Sequence, residues 1–89
     1  MIEQSFTIIN NLGLHARAAA KFVTTASQFE ANIVVSRNGR SVNGKSIMGV
    51  MMLAAGKGTE IKVNADGKDC ELALQAIETL INDYFGEGE

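Results

Sequence analysis

Along these 89 residues the apolar positions switch repeatedly between a period of two and one of about 3.6, and this limits the fold more than any other feature. Ile2, Phe6 and Ile8 share one parity while Glu3, Ser5 and Thr7 share the other, the pattern of a half-buried strand from Ile2 to Ile9. Asn10, Asn11 and Gly13 interrupt it. From Ala16 to about Gln28 the spacing becomes helical, with Ala19, Phe22, Val23 and Ala26 in one stripe. The other side carries Ala16, Arg17, Ala20, Lys21 and Thr24, a low surface because alanine favours helix while adding little bulk. Ile33, Val34 and Val35 form a β-branched strand, and Asn38-Gly39 suits the positive φ angles of a type I′ hairpin turn, so a return strand from Arg40 to Asn43 is expected. Asn43-Gly44 ends it. Ser46 can then cap a short helix through about Ala54, with Ile47, Val50, Met51 and Ala54 at helical spacing, until Gly56 and Gly58 stop it. Glu60 to Ala65 alternates again, with Ile61, Val63 and Ala65 inward. Asp69 is placed as N-cap of a last helix whose stripe is Cys70, Ala73, Leu74, Ile77, Leu80, Ile81 and Tyr84, with Gly86 at its end.

The order β-α-β-β-α-β-α, in one domain over residues 1–89, with polar outer strand positions and one apolar stripe per helix, predicts an α/β (α+β) fold. It is a single sheet with all helices on one face, an open-faced sandwich. No apolar run approaches the ~20 residues of a membrane span, and MIEQSFTIIN lacks the basic flank and apolar core of a signal peptide. One cysteine cannot form an internal disulfide, so the expected compartment is the cytoplasm, and Cys70 reads as a small apolar residue. Eight Lys and Arg against ten Asp and Glu leave a net charge of −2 with no basic run, which argues against nucleic acid as a partner.

GRSVNGKS, Gly39 to Ser46, satisfies the phosphate-loop pattern G-x-x-x-x-G-K-[ST]. Its context does not. Gly39 is needed by the hairpin turn and Ser41-Val42 by a strand, and no apolar strand ends in a magnesium-binding Asp. His15, the only histidine, is the better lead. It occupies or adjoins the N-cap of the first helix, where the free N–H groups of Ala16 and Arg17 and the helix dipole favour an anion. Arg17 adds a permanent cation whose donors match phosphate oxygens, and an imidazole that is neutral near pH 7 offers a nucleophilic nitrogen. These residues describe a place to make and hold a phosphohistidine. No metal cluster and no second acid or base is visible beside the histidine, so the site reads as that of a carrier rather than of an enzyme that turns over alone.

GLHARAAAKFV followed by NGKSIMGVMMLAAGKGTEI, in this element order, resembles the HPr family of phosphocarriers of the phosphoenolpyruvate-dependent phosphotransferase system over essentially the whole chain. The resemblance implies a four-stranded antiparallel sheet with three helices on one face. It also implies that His15 accepts a phosphoryl group on Nδ1 from enzyme I and passes it to a IIA protein, with Arg17 neutralising the phosphate. Ser46 corresponds to the serine modified by HPr kinase/phosphorylase in many bacteria. A cap alone accounts for this residue at about 1 kcal/mol, and a phosphate there would set about −1.5 to −2 charges beside a docking surface. Ala16, Ala20, Ile47, Met48 and Met51 are the expected partner contacts, since Ile47, Met48, Met51 and Met52 exceed what one core-facing stripe requires. The expected state is a cytoplasmic monomer without cofactor, metal or membrane insertion.

This chain also departs from the family. Ala18 stands where many members have proline, and no active-site role is assigned to the tail Gly86-Glu87-Gly88-Glu89, although some members end in a carboxylate near the active centre. The alanine run and MMLAAGKGT resemble the proteobacterial branch, including nitrogen-related carriers, so sugar uptake and nitrogen or carbon regulation both stand as pathways. Two other functions compete: a purely regulatory module controlled through Ser46, and a small RNA-binding α/β domain, which the net charge weakens.

Overall fold

The computed structural model describes residues 1–87. Its elements are β1 (Ile2–Thr7), α1 (Ala16–Ala26), β2 (Asn32–Arg37), β3 (Arg40–Asn43), α2 (Ile47–Met52), β4 (Glu60–Asp66) and α3 (Cys70–Asn82), then a single 3-10 turn, Tyr84–Gly86. The strands form one antiparallel sheet in the order β1-β4-β2-β3. Register puts Phe6 opposite Ile61 and Val35 opposite Val63, so one apolar face is continuous across the three strands. The helices cover it with Phe22, Val50, Ile77 and their buried neighbours. The open face is polar, with Ser36 and Ser41 hydroxyls 2.9 Å apart and Lys62 4.0 Å from Glu3. No helix among the described residues is long and apolar enough to cross a membrane.

Most elements form where their periodicity places them. Asn38 and Gly39 take φ values of 50° and 81°, as a type I′ turn requires. β1 stops at Thr7, yet Ile8 stays buried, its amide donating to Thr59 and its carbonyl accepting from Gly58. The helices differ from expectation in their ends and in the residues they bury. In α1, which ends at Ala26, Ala18 joins the core while Val23 is only half-buried. α2 ends at Met52; Val50 faces the core as expected, but Ala54 lies exposed at φ 52°, and Leu53 and Ala55 are buried in place of Ile47, Met51 and Ala54. α3 ends at Asn82, so Tyr84 is exposed and Phe85 is buried in its stead.

Asp69 does sit at the N-cap of α3, but its carboxylate does not cap that helix. It accepts instead from the amides of Glu30 and Ala31, each at 2.9 Å, tying the start of β2 to the start of α3. The Glu30 amide is the main reason its carboxyl lies below the usual range, with burial opposing the shift and the Ala31 amide and Lys45 reinforcing it.

The phosphate-loop pattern is consumed by this architecture. Gly39 turns the hairpin, Ser41 and Val42 lie in β3, and Lys45 Nζ donates to the Phe29 carbonyl at 2.7 Å. Ser46 Oγ accepts from the Gly49 amide at 3.1 Å as the N-cap of α2. At the other end of α2, Arg37 donates to the Leu53 carbonyl at 2.8 Å and Arg40 to that of Met52 at 3.1 Å.

Candidate functional site

Between β1 and α1 the chain must change direction within a few residues, and Gly13 makes this feasible. Its φ is +67°, and a Cβ there would come within 2.4 Å of the Ala55 carbonyl oxygen. That same carbonyl accepts from Leu14, whose side chain is buried, so the turn is pinned to the core on both sides of Gly13. His15 therefore enters the helix from a rigid mount. It is the N-cap, with extended backbone, and its carbonyl accepts the first intrahelical bond from Ala19. The amides of Ala16 to Ala18 precede that bond and belong to the electropositive end of the helix.

The two ring nitrogens of His15 meet different neighbours. Nδ1 faces the Arg17 amide at 3.4 Å, the outer limit of a hydrogen bond, so this contact is weak and its lone pair is easily released. Nε2 lies 2.5 Å from Glu87 Oε2. The imidazole is 29 % exposed and the carboxylate 12 %. Arg17 is exposed at the helix start, and its guanidinium makes no hydrogen bond or ion pair among the described residues.

Glu87 is the residue beside His15 that the sequence did not point to. The tail, to which no active-site role was assigned, brings Glu87 against His15; Gly88 and Glu89 lie outside the described residues. Beyond α3, Tyr84, Phe85 and Gly86 all take positive φ, at 56°, 53° and 75°, and this left-handed turn doubles the chain back. Two anchors hold it there. The Phe85 ring is fully buried, and the Phe85 carbonyl accepts from Lys21 Nζ at 2.6 Å. Glu87 Oε1 then accepts from Asn10 Nδ2 at 3.0 Å. Burial raises the pKa of the Glu87 carboxyl, but the hydrogen bonds from Asn10 and His15 and the nearby Lys21 charge outweigh it, leaving the group below its ordinary value. No local period carries such a contact across a separation of 72 residues.

His15, Ala16 and Arg17 thus form one site with Glu87. Ser46, Ile47, Met48 and Met51 form a second patch on α2, which packs beside α1. Ala16 and the three apolar residues of α2 are exposed, Met48 at 73 %, and Ala20 is half-buried. Met52 is exposed as well, in keeping with the surplus of apolar residues on α2, and so is Leu12, which was not anticipated and borders the same shallow concavity as His15. Among the described residues no three His, Cys, Asp or Glu side chains converge as metal ligands.

A family model described as the PTS HPr component phosphorylation site matches residues 2–83. Phosphocarrier protein HPr of Neisseria meningitidis is 60 % identical over 89 residues, covering all of both chains. That of Pseudomonas aeruginosa is 57 % identical over 84 residues, 93 % of each chain. Among solved structures, HPr-C-His from Thermoanaerobacter tengcongensis superposes with a TM-score of 0.94 at 47 % identity over 98 % of each chain. HPr from Bacillus anthracis gives 0.86 at 40 % identity over 90 % of this chain and 95 % of that one.

Proposed function

The chain belongs to the HPr family of phosphocarrier proteins of the phosphotransferase system, and we propose that His15 Nδ1 is the atom that carries the phosphoryl group. The observation behind this assignment is the asymmetry of the imidazole: among the described residues Nε2 is engaged by Glu87, whereas Nδ1 holds only a long contact to the Arg17 amide. In the reaction the Nδ1 lone pair attacks phosphorus, and the bond to the donor breaks with its electron pair leaving on the donor. The Arg17 amide then turns from the ring nitrogen to a phosphoryl oxygen, the Ala16 amide lies beside it, and the Arg17 guanidinium supplies charge. The group leaves by the reverse displacement on an acceptor. Nothing is consumed on the carrier, which is why we class it as a relay rather than an enzyme.

Family membership places the partners within the phosphotransferase system. We assign enzyme I as donor and a IIA protein as acceptor, both reaching His15 over Ala16, Ala20 and the exposed side chains of α2. Ser46 phosphorylation by an HPr kinase/phosphorylase is part of the same proposal; it would set its charge at the edge of that surface without needing to unfold α2.

Incubation with enzyme I and labelled phosphoenolpyruvate tests the assignment. One acid-labile, alkali-stable phosphate is expected per chain, absent from His15→Ala, and labelling of His15→Ala at the wild-type level overturns it.

A further inference from the structure

Asn10 is the one polar side chain among the described residues that is wholly buried, and it lies five residues before the acceptor histidine. A buried amide costs free energy unless its groups find partners, so what it holds is informative. Nδ2 donates to the Gly13 carbonyl at 2.9 Å and to Glu87 Oε1 at 3.0 Å, while Oδ1 has no partner among the described residues. One amide group thus clamps the turn that mounts His15 and the carboxylate that meets its Nε2. A ring nitrogen facing a carboxylate carries the proton, and the other, facing an N–H, carries the lone pair.

We propose that Glu87 and Asn10 are positioning residues for phosphoryl transfer: Glu87 keeps the His15 proton on Nε2 in both the free and the phosphorylated carrier, and Asn10 fixes Glu87 for that task. This rests on the reading that Nδ1 is the acceptor. Phosphorylation at Nδ1 forms an N–P bond and leaves Nε2–H in place, so the ring gains positive charge that the carboxylate offsets. When the group departs, the N–P electron pair returns to Nδ1 and the ring is again neutral with its proton still on Nε2. No proton has to enter or leave during either transfer. Because the two ring nitrogens point in divergent directions, the carboxylate meets the ring without meeting the phosphate. The other charged groups about the pair are Lys21, fixed to the turn before Glu87, and the exposed Arg17. The left-handed backbone at Tyr84 and Phe85 is held for a contact of this kind, since strained φ values persist where the surroundings enforce them.

The test compares wild type with Glu87→Ala, Glu87→Asp and Asn10→Ser, following three readouts: thermal unfolding, the exchange-protected Nε2–H proton signal of His15, and transfer rates with enzyme I and with a IIA acceptor. Wild type should show the protected signal before and after phosphorylation. Glu87→Ala should lose it and transfer about tenfold more slowly, comparable to the loss when the carboxylate that orients a metal-bound histidine is removed. Glu87→Asp should recover part of both, and Asn10→Ser should weaken the signal if folded. Glu87→Ala is expected to fold whatever Asn10→Ser does, because Glu87 adds no apolar packing. Wild-type rates together with an unchanged Nε2–H signal in Glu87→Ala overturn the inference, while phosphate on a His15→Ala chain overturns the assignment beneath it.

Discussion

At the scale of single residues, the proposed division of labour between the nitrogens of His15 rests on what flanks them: a helix-end amide on one side and a carboxylate on the other. In the same proposal Arg17 completes the phosphate side. Arg17→Ala should slow transfer to and from the carrier about tenfold, the loss of one charge-assisted contact, while the unfolding free energy stays within about 0.5 kcal/mol, because the side chain is exposed. Enzyme I kinetics and urea titration would measure the two effects separately. Gly13→Ala should behave oppositely. Its Cβ meets the Ala55 carbonyl at 2.4 Å in a backbone region that L side chains avoid, so a loss of about 2 kcal/mol or more is expected, seen as a lower urea midpoint. The positions of His15 and Gly13 are readable locally, because a cap and a tight turn are written in adjacent residues. Glu87 is different: its place depends on a buried phenylalanine, a lysine from α1 and three left-handed residues acting together.

At the scale of elements, α2 is the revealing case. Six residues are too few to form a helix unaided, so its ends matter more than its propensity. Ser46 was legible as its N-cap; Arg37 and Arg40, which hold its C-terminal carbonyls from the neighbouring hairpin, were not. Ser46→Ala should cost about 1 kcal/mol of stability by chemical denaturation, and Arg37→Ala should cost more than Arg40→Ala, because Arg37 is half-buried. The inward positions of α2 were misjudged for a related reason. With the helix ending at Met52, Leu53 and Ala55 enter the core from non-helical backbone, and Ile47 and Met51 are released to the surface. Met48→Asp should therefore leave the unfolding midpoint nearly unchanged and reduce transfer with a partner that docks there. α3 shows the same limit. Its stripe extrapolates to Tyr84, but the helix has already ended at Asn82 and Phe85 occupies the core.

At the scale of the whole molecule, periodicity identified the layers but not the strand order, since which strands pair depends on contacts far apart in sequence. Asp69 and Glu87 close the molecule at two such places, and both carboxyls lie below their ordinary range in the folded protein. A group whose folded pKa is depressed stabilises the fold above its unfolded pKa and loses that contribution as pH falls through the folded value. The urea midpoint should thus be flat near neutrality and fall as pH drops through and below the carboxylate range, and Asp69→Asn should begin lower at pH 7 and fall less steeply. That dependence tests how the fold is fastened rather than what the carrier does. The central claim is that the phosphoryl group travels on Nδ1 of His15 while Glu87 holds Nε2, and phosphorus–nitrogen coupling in the 15N-labelled, enzyme I-phosphorylated protein tests it most directly. Coupling of phosphorus to Nδ1 of His15 is the result expected; coupling to Nε2, or phosphate found on Ser46 with His15 unmodified, would contradict it.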